Sequence, residues 1–140
     1  MDYITSGKAK SEDTRIMLNK LTTNHTYFMR ENSHFDLFTN RILPELKEKY
    51  SQKKSLAIWS AGCSSGQEPY TLSMLLFDFF GNERRSWDLR LLATDISFHV
   101  MSKAKQATYT DEEIKDVPSQ WRDKYMTKNG SNFTFVPEIR

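Results

Sequence analysis

The sequence predicts an α/β fold in which short buried strands form a parallel sheet and helices flank it. A continuous apolar segment at residues 56–59 has the length and composition of a strand buried on both faces, and residues 89–94 are a second candidate for a buried strand. A loop of small residues and a helical segment at 68–80 lie between them, and a second helix is expected at 98–105. Strand, helix and strand in this order form a βαβ unit, which predicts parallel strands joined by a right-handed crossover.

The composition is that of one globular domain with nearly balanced charge. The chain has 140 residues, and its 20 Lys and Arg against 18 Asp and Glu leave a net charge of +2. Phosphate-backbone binding usually requires a denser basic surface. The pairs Lys53/Lys54 and Arg84/Arg85 are therefore interpreted as solvated loop charges, and no nucleic-acid partner is expected.

Cysteine and hydropathy patterns exclude several other classes of protein. Cys63 is the only cysteine, so an intramolecular disulfide is impossible, and no Cys/His cluster has zinc-ligand spacing. No metal site is expected. Because the first 20 residues lack the apolar stretch of a signal peptide and no long apolar run occurs, we expect a cytoplasmic protein with no membrane insertion.

Helices are predicted before the first strand. Ser11, followed by two acidic residues, is typical of a helix start and predicts a helix at 12–21. The polar residues 22–24 should end it. Apolar residues then recur with helical spacing over 33–50, and Pro44 should kink this helix or start a new turn, because proline has no amide hydrogen to donate.

After the second strand, the predicted helices and strands become shorter. Ser97 is the expected N-cap of the helix that follows. Two short helices are predicted at 111–117 and 119–126, separated by Pro118, and a half-exposed strand is predicted at 132–136.

The candidate functional residues lie at one edge of the predicted sheet. In open parallel sheets, ligands bind beyond the carboxyl ends of the strands, where this sequence places the loop 62–66, Glu68 and Asp95. The loop matches neither the dinucleotide fingerprint nor the nucleoside-triphosphate loop. Two acids and no lysine favour a nucleoside that carries positive charge, and S-adenosylmethionine has that charge distribution.

Each of these features also has a structural explanation without a ligand. The loop would serve as a tight turn between strand and helix, and Asp95 would cap the helix after it. Glu68 would simply be an acid favoured by a helix N-terminus.

Three segments, in this order, resemble the chemotaxis receptor methyltransferases, the CheR family. They are TTNHTYFMRENSHF at 22–35, WSAGCSSGQEPY at 59–70 and LLATDIS at 91–97. The resemblance implies a Rossmann-like, class I S-adenosylmethionine-dependent methyltransferase fold. It also implies transfer of a methyl group from S-adenosylmethionine to glutamate side chains of chemoreceptor cytoplasmic domains, with S-adenosylhomocysteine as the product.

The resemblance further implies a set of site residues. Contacts to the cofactor would come from Asn24, Thr26, Arg30, Gly62, Glu68 and Asp95. Asp95 would hold the ribose hydroxyls, and Glu68 would face the charged end of the cofactor. Arg30, the one residue assigned to catalysis, would bind the cofactor carboxylate or orient the substrate glutamate by a two-point contact. No general base is assigned, because a glutamate is already ionised at neutral pH.

The resemblance covers part of the family's pattern. Residues 1–21 are expected to be a remnant of an N-terminal helical region, and residues 22–140 the N-terminal half of the methyltransferase domain, a truncated sheet. Residues 128–140 would begin a small antiparallel subdomain, with only its first strand present. We therefore expect little or no transferase activity from this chain alone, and a non-catalytic module that serves binding or assembly is the alternative.

The same reasoning predicts an open sheet edge. The family fold places the first strand beside a strand that this chain does not contain, so the edge between Leu56 and Ser60 should be free to pair. A homodimer through that edge is the expected way of covering it.

Overall fold

The structure is a computed structural model, which describes residues 11–21 and 25–140. The helices are α1 (Ser11–Leu21), α2 (Asn32–Leu37), α3 (Leu43–Lys49), α4 (Gln67–Phe80), α5 (Phe98–Gln106) and α6 (Ser119–Tyr125). The strands are β1 (Ser55–Ala61), β2 (Asp88–Thr94), β3 (Thr108–Thr110), β4 (Met126–Asn129) and β5 (Asn132–Phe135). Among these helices, none is both long and apolar enough to cross a membrane.

The predicted βαβ unit is confirmed. Strands β1 and β2 pair in parallel from Ser55 opposite Asp88 to Ala61 opposite Thr94, and α4 connects them. One face of this pair packs against α3 and α4 through a buried cluster that includes Leu43, Leu56 and Leu76. The helices therefore cover the sheet from that side.

The prediction that both strands are buried on both faces is wrong for the described residues. Side chains alternate between the two faces of a strand, and the face opposite α4 leaves Trp59 67% and Leu92 59% exposed. These two residues are cross-strand partners. The large apolar side chains Trp59 and Leu92 therefore lie on a face that no helix of the described residues covers, together with the ion pair of Asp88 and Arg90.

The predicted helix at 33–50 forms, with a local change of geometry before its proline. A π-helical turn, Phe38–Ile42, joins α2 to α3, and the Leu43 amide accordingly bonds the carbonyl of Phe38, five residues earlier. Pro44 then lies in the first turn of α3, where its missing amide hydrogen costs little. The wider turn is how the helix accommodates the proline ring.

The C-terminal third contains a second sheet, of which the sequence predicted only the strand β5. Strands β3, β5 and β4 pair antiparallel in that order. The expectation that only one strand of an antiparallel unit is present is therefore wrong. β3 has three residues, and β4 has the sequence MTKN, so neither shows a recognisable strand pattern.

The predicted helix at 111–117 is also wrong: Thr110 and Glu113 form the reciprocal cap of a helix start, but the segment continues only as turns. The Glu113 carboxylate accepts hydrogen bonds from the Thr110 amide at 3.0 Å and its hydroxyl at 3.2 Å, and Lys103 pairs with the same carboxylate. These bonds hold a series of turns. Ile114 and Val117 lie in these turns, and both side chains are buried. Their helical spacing in the sequence therefore reflects two separate contacts with the core and not one face of a helix.

An aromatic core joins the second sheet to the first half of the chain. Phe28 is fully buried and packs edge-on against Tyr109, with ring centroids 5.0 Å apart. Tyr70 of α4 stacks on Phe135 of β5 with centroids 4.4 Å apart. This core fixes the segment around Phe28 and the start of α4 against the same sheet.

Candidate functional site

A cavity of about 490 Å³ opens where β1 and β2 end. It brings together every predicted site residue that the structure describes, namely Thr26, Arg30, Gly62, Glu68 and Asp95. Asn24, also predicted, lies outside the described residues. The remaining lining residues are His25, Tyr27, Glu31, His34, Phe35, Cys63, Ser64 and Ile96. None of these eight was among the predicted site residues.

Backbone hydrogen bonds hold the loop between β1 and α4. The amides of Gly62 and Cys63 both donate to the carbonyl of Thr94, at 2.8 and 2.9 Å, so the loop is tied to the end of β2. Gly62 (φ +79°) and Gly66 (φ +98°) adopt backbone conformations that glycine reaches without steric cost. The two glycines therefore set the path of the loop along the cavity.

Asp95 connects this loop to α5. Its Oδ2 accepts a hydrogen bond from the Ser64 amide and its Oδ1 one from the Ser97 amide, both at 2.8 Å. The cap of α5 is Ser97, as predicted, whose hydroxyl oxygen accepts from the Val100 amide. A carboxylate offers about four acceptor positions, so Asp95 keeps about two for hydroxyl groups of a ligand.

Glu68 is held in place by a residue that the sequence analysis missed. The hydroxyl of Ser60, which is 2% exposed, donates to Glu68 Oε1 at 2.6 Å. Glu68 itself is exposed in the first turn of α4. The only sequence signal for Ser60 is a polar residue at the end of an otherwise apolar strand.

Arg30 is presented by a strained turn. Its neighbours Met29 (φ 60°) and Glu31 (φ 57°) both have left-handed backbone conformations, which cost roughly 1–2 kcal/mol each for residues with a side chain. Arg30 Nη1 donates to the carbonyl of His25 at 3.1 Å. Phe28, two residues before Arg30, is fully buried, so the turn is anchored in the core while Arg30 lines the cavity.

His34 joins the cavity from α2. Its Nδ1 lies 2.9 Å from Glu31 Oε2, and both side chains are largely exposed. The pair lies beside Arg30 on the lining of the cavity. This part of the wall is therefore polar and open to solvent.

Cys63 is not arranged as a nucleophile. Burial raises the pKa of its thiol, and the nearby charge of Asp95 raises the pKa further. The sulfur lies 3.4 Å from Met101 Sδ. A thiol with a raised pKa stays protonated at neutral pH and is unreactive.

The donor set fits a cationic nucleoside. The cavity volume lies within the roughly 300–1,000 Å³ of small-molecule sites. Two carboxylates, from Glu68 and Asp95, suit an ammonium or sulfonium group and ribose hydroxyls, and Arg30 suits a carboxylate. Within residues 11–21 and 25–140, no cluster of three His, Cys, Asp or Glu side chains could hold a metal ion.

Comparison with known proteins gives one consistent result. The family model described as the SAM-binding domain of CheR methyltransferase matches residues 24–140. The chain is 43% identical over 125 residues to a chemotaxis protein methyltransferase of Borreliella burgdorferi, an alignment that covers 88% of this chain and 44% of that protein. The chemotaxis protein methyltransferase of Escherichia coli is 33% identical over 118 residues, covering 84% and 38%. The chain thus spans less than half the length of these relatives.

Proposed function

This chain belongs to the CheR methyltransferase family, and from that premise we propose that it forms the cofactor-binding part of a chemoreceptor glutamate methyltransferase. The observation that carries this proposal is the single cavity that gathers Thr26, Arg30, Gly62, Glu68 and Asp95. The sequence motifs alone had assigned the same five residues to the cofactor.

Asp95 and Glu68 divide the recognition of S-adenosylmethionine between them. Asp95 accepts hydrogen bonds from the ribose hydroxyls. Two backbone amides fix its carboxylate in one orientation and leave about two acceptor positions for these hydroxyls. Glu68, oriented by Ser60, faces the positively charged end of the cofactor. At Gly62, no atom lies within 4 Å of the position that a Cβ would occupy. The backbone there is therefore open to close approach by the cofactor.

Arg30 provides the anion-binding group of the site. One of its nitrogens donates to the His25 carbonyl, which fixes the guanidinium. Its remaining N–H groups can bind a carboxylate through two hydrogen bonds, and that carboxylate belongs either to the cofactor or to the substrate glutamate. When bound, the cofactor supplies an activated methyl group on a sulfonium. The protein's part is alignment and exclusion of water, because an ionised glutamate needs no base.

The open edge of β1 supports a second proposal about assembly. Within the described residues β1 pairs only with β2, so the other edge between Leu56 and Ser60 is available to a strand. Exposed edges of this kind usually pair or are covered. We propose that a second copy of the chain pairs there.

Cofactor binding is tested by calorimetric titration of this chain with S-adenosylhomocysteine. Wild type should bind, and Asp95→Ala should bind at least about tenfold more weakly, because a hydrogen bond to a charged group contributes roughly 1.5–3 kcal/mol. Asp123→Ala, an exposed acid on α6, is the matched control and should bind like wild type. Equal affinity of wild type and Asp95→Ala, or no binding by wild type, would contradict the assignment.

A further inference from the structure

Tyr109 contacts the cofactor loop from the other sheet. It lies in the middle of β3 and is 1% exposed, and its hydroxyl donates to the carbonyl of Ser65 at 2.7 Å. Forty-four residues separate the two partners. This bond is a direct link between the antiparallel sheet and the loop that lines the cavity.

The position of the Tyr109 hydroxyl is fixed by its surroundings. The ring packs edge-on against Phe28, Phe135 and Tyr70, with centroids 5.0, 5.9 and 6.2 Å away. Burial also raises the pKa of Tyr109 strongly, so the hydroxyl remains a hydrogen-bond donor at every physiological pH. The ring therefore holds its donor rigidly against the loop.

The same hydroxyl is a second reason, besides the backbone conformation (φ +98°), why residue 66 is glycine. A Cβ placed on Gly66 would come within 2.7 Å of the Tyr109 oxygen and within 3.1 Å of Ala104 Cβ. Glycine at the N-cap of α4 thus leaves the space that the hydroxyl occupies. Tyr109 and Gly66 are complementary in shape as well as joined through Ser65.

From these contacts we propose that Tyr109 is a positioning residue for the cofactor loop. It holds Ser65 and Gly66, and so aligns the adjoining Ser64, whose amide is bound by Asp95. The proposal deepens the proposed function, on which its cofactor-binding part rests. Tyr109 itself does not line the cavity, so its effect on a ligand passes through the loop.

The test compares Tyr109→Phe with Tyr125→Phe. Tyr125 is also buried, at 3% exposed, and its hydroxyl donates to Asp78 at 3.0 Å, away from the loop. Each variant removes one buried hydroxyl and keeps the ring. Amide hydrogen exchange of Ser64 and Gly66, followed by NMR on the 140-residue chain, reads the loop without any ligand.

We expect Tyr109→Phe to speed exchange of these two amides about tenfold or more, and Tyr125→Phe to leave them unchanged. Affinity for S-adenosylhomocysteine should fall in Tyr109→Phe only, by up to roughly five- to tenfold, because the free energy of the one buried hydrogen bond that holds the loop is the upper limit of the effect. Equal exchange in the two variants would overturn the proposal. If wild type binds S-adenosylhomocysteine, faster amide exchange in Tyr109→Phe with unchanged affinity for this ligand would also overturn the proposal.

If wild type does not bind S-adenosylhomocysteine, the proposed function fails and the exchange result still decides whether Tyr109 positions the loop. Gly66→Ala, made in wild type and in the Tyr109→Phe variant, gives a second measurement. Because Tyr109→Phe removes the atom nearest the new Cβ, the alanine should destabilise the Tyr109→Phe variant less than wild type. Additive effects on stability would count against the shape complementarity.

Discussion

Asp78 provides the strongest test of how α6 is held to α4. Its carboxylate accepts hydrogen bonds from Trp121 Nε1 at 2.8 Å, Lys124 Nζ at 2.6 Å and the Tyr125 hydroxyl at 3.0 Å. All three donors lie on α6. We therefore expect Asp78→Ala to lower the free energy of unfolding while leaving the cavity intact.

The magnitude follows from the exposure of each donor. Tyr125 is 3% exposed, and leaving a buried hydroxyl without a partner costs about 1–3 kcal/mol. The pair with Lys124 contributes at most about 1 kcal/mol, because the side chains of Lys124 and Asp78 are 52% and 43% exposed. The expected loss is about 2–3 kcal/mol, or a Tm lower by roughly 10 °C.

The effect should depend on pH in a defined direction. Burial tends to raise the pKa of Asp78, but the bonds from Lys124, Trp121 and Tyr125 outweigh it and hold the pKa below its ordinary value. A lowered pKa in the folded state stabilises the protein above the ordinary carboxyl pKa, and this stabilisation is lost as the pH falls through the lowered value. The difference between wild type and Asp78→Ala should be constant near neutral pH and shrink below about pH 4.

Urea unfolding followed by circular dichroism, from about pH 7 down to about pH 3, measures this difference. Asp123→Ala is the control, since Asp123 is an exposed acid on the same helix. The reasoning is refuted if Asp78→Ala loses no more stability than Asp123→Ala at neutral pH, or if its loss persists unchanged in acid.

Two further predictions concern the site and the assembly. Ser60→Ala should weaken binding of S-adenosylhomocysteine about fivefold, because Glu68 loses the donor that orients it. The control is Ser86→Ala, which removes an exposed hydroxyl bonded to a carbonyl. Equal affinities of the two variants would contradict the role of Ser60. Light scattering of the concentrated chain should give the mass of a dimer through the β1 edge, and a strict monomer would remove that proposal.

The sequence predicts the elements around the site well because their signals are local. Ser97 marks the start of α5 and Pro69 the first turn of α4, and both signals depend on one or two neighbouring backbone groups. The apolar segments predicted β1 and β2 for the same reason. Their one-sided burial was missed because apolar composition does not reveal what covers each face.

The missed features depend on contacts between distant segments. β3 becomes a strand only by pairing with β5, since three residues carry no pattern of their own. The roles of Ser60 and Tyr109 depend on partners that the fold supplies. The cofactor roles of Thr26, Arg30, Gly62, Glu68 and Asp95 remain predictions, although the structure places these residues on one cavity.

The π-helical turn Phe38–Ile42 makes the length of this segment a constraint in its own right. Deleting one residue there would restore a regular α-helix, in which each residue advances about 100° around the axis. With Leu43 anchored in the core, His34 and Phe35 would swing by that angle out of the cavity wall. The angular phase of the helix, rather than the identity of any side chain in the turn, therefore determines whether α2 contributes to the site.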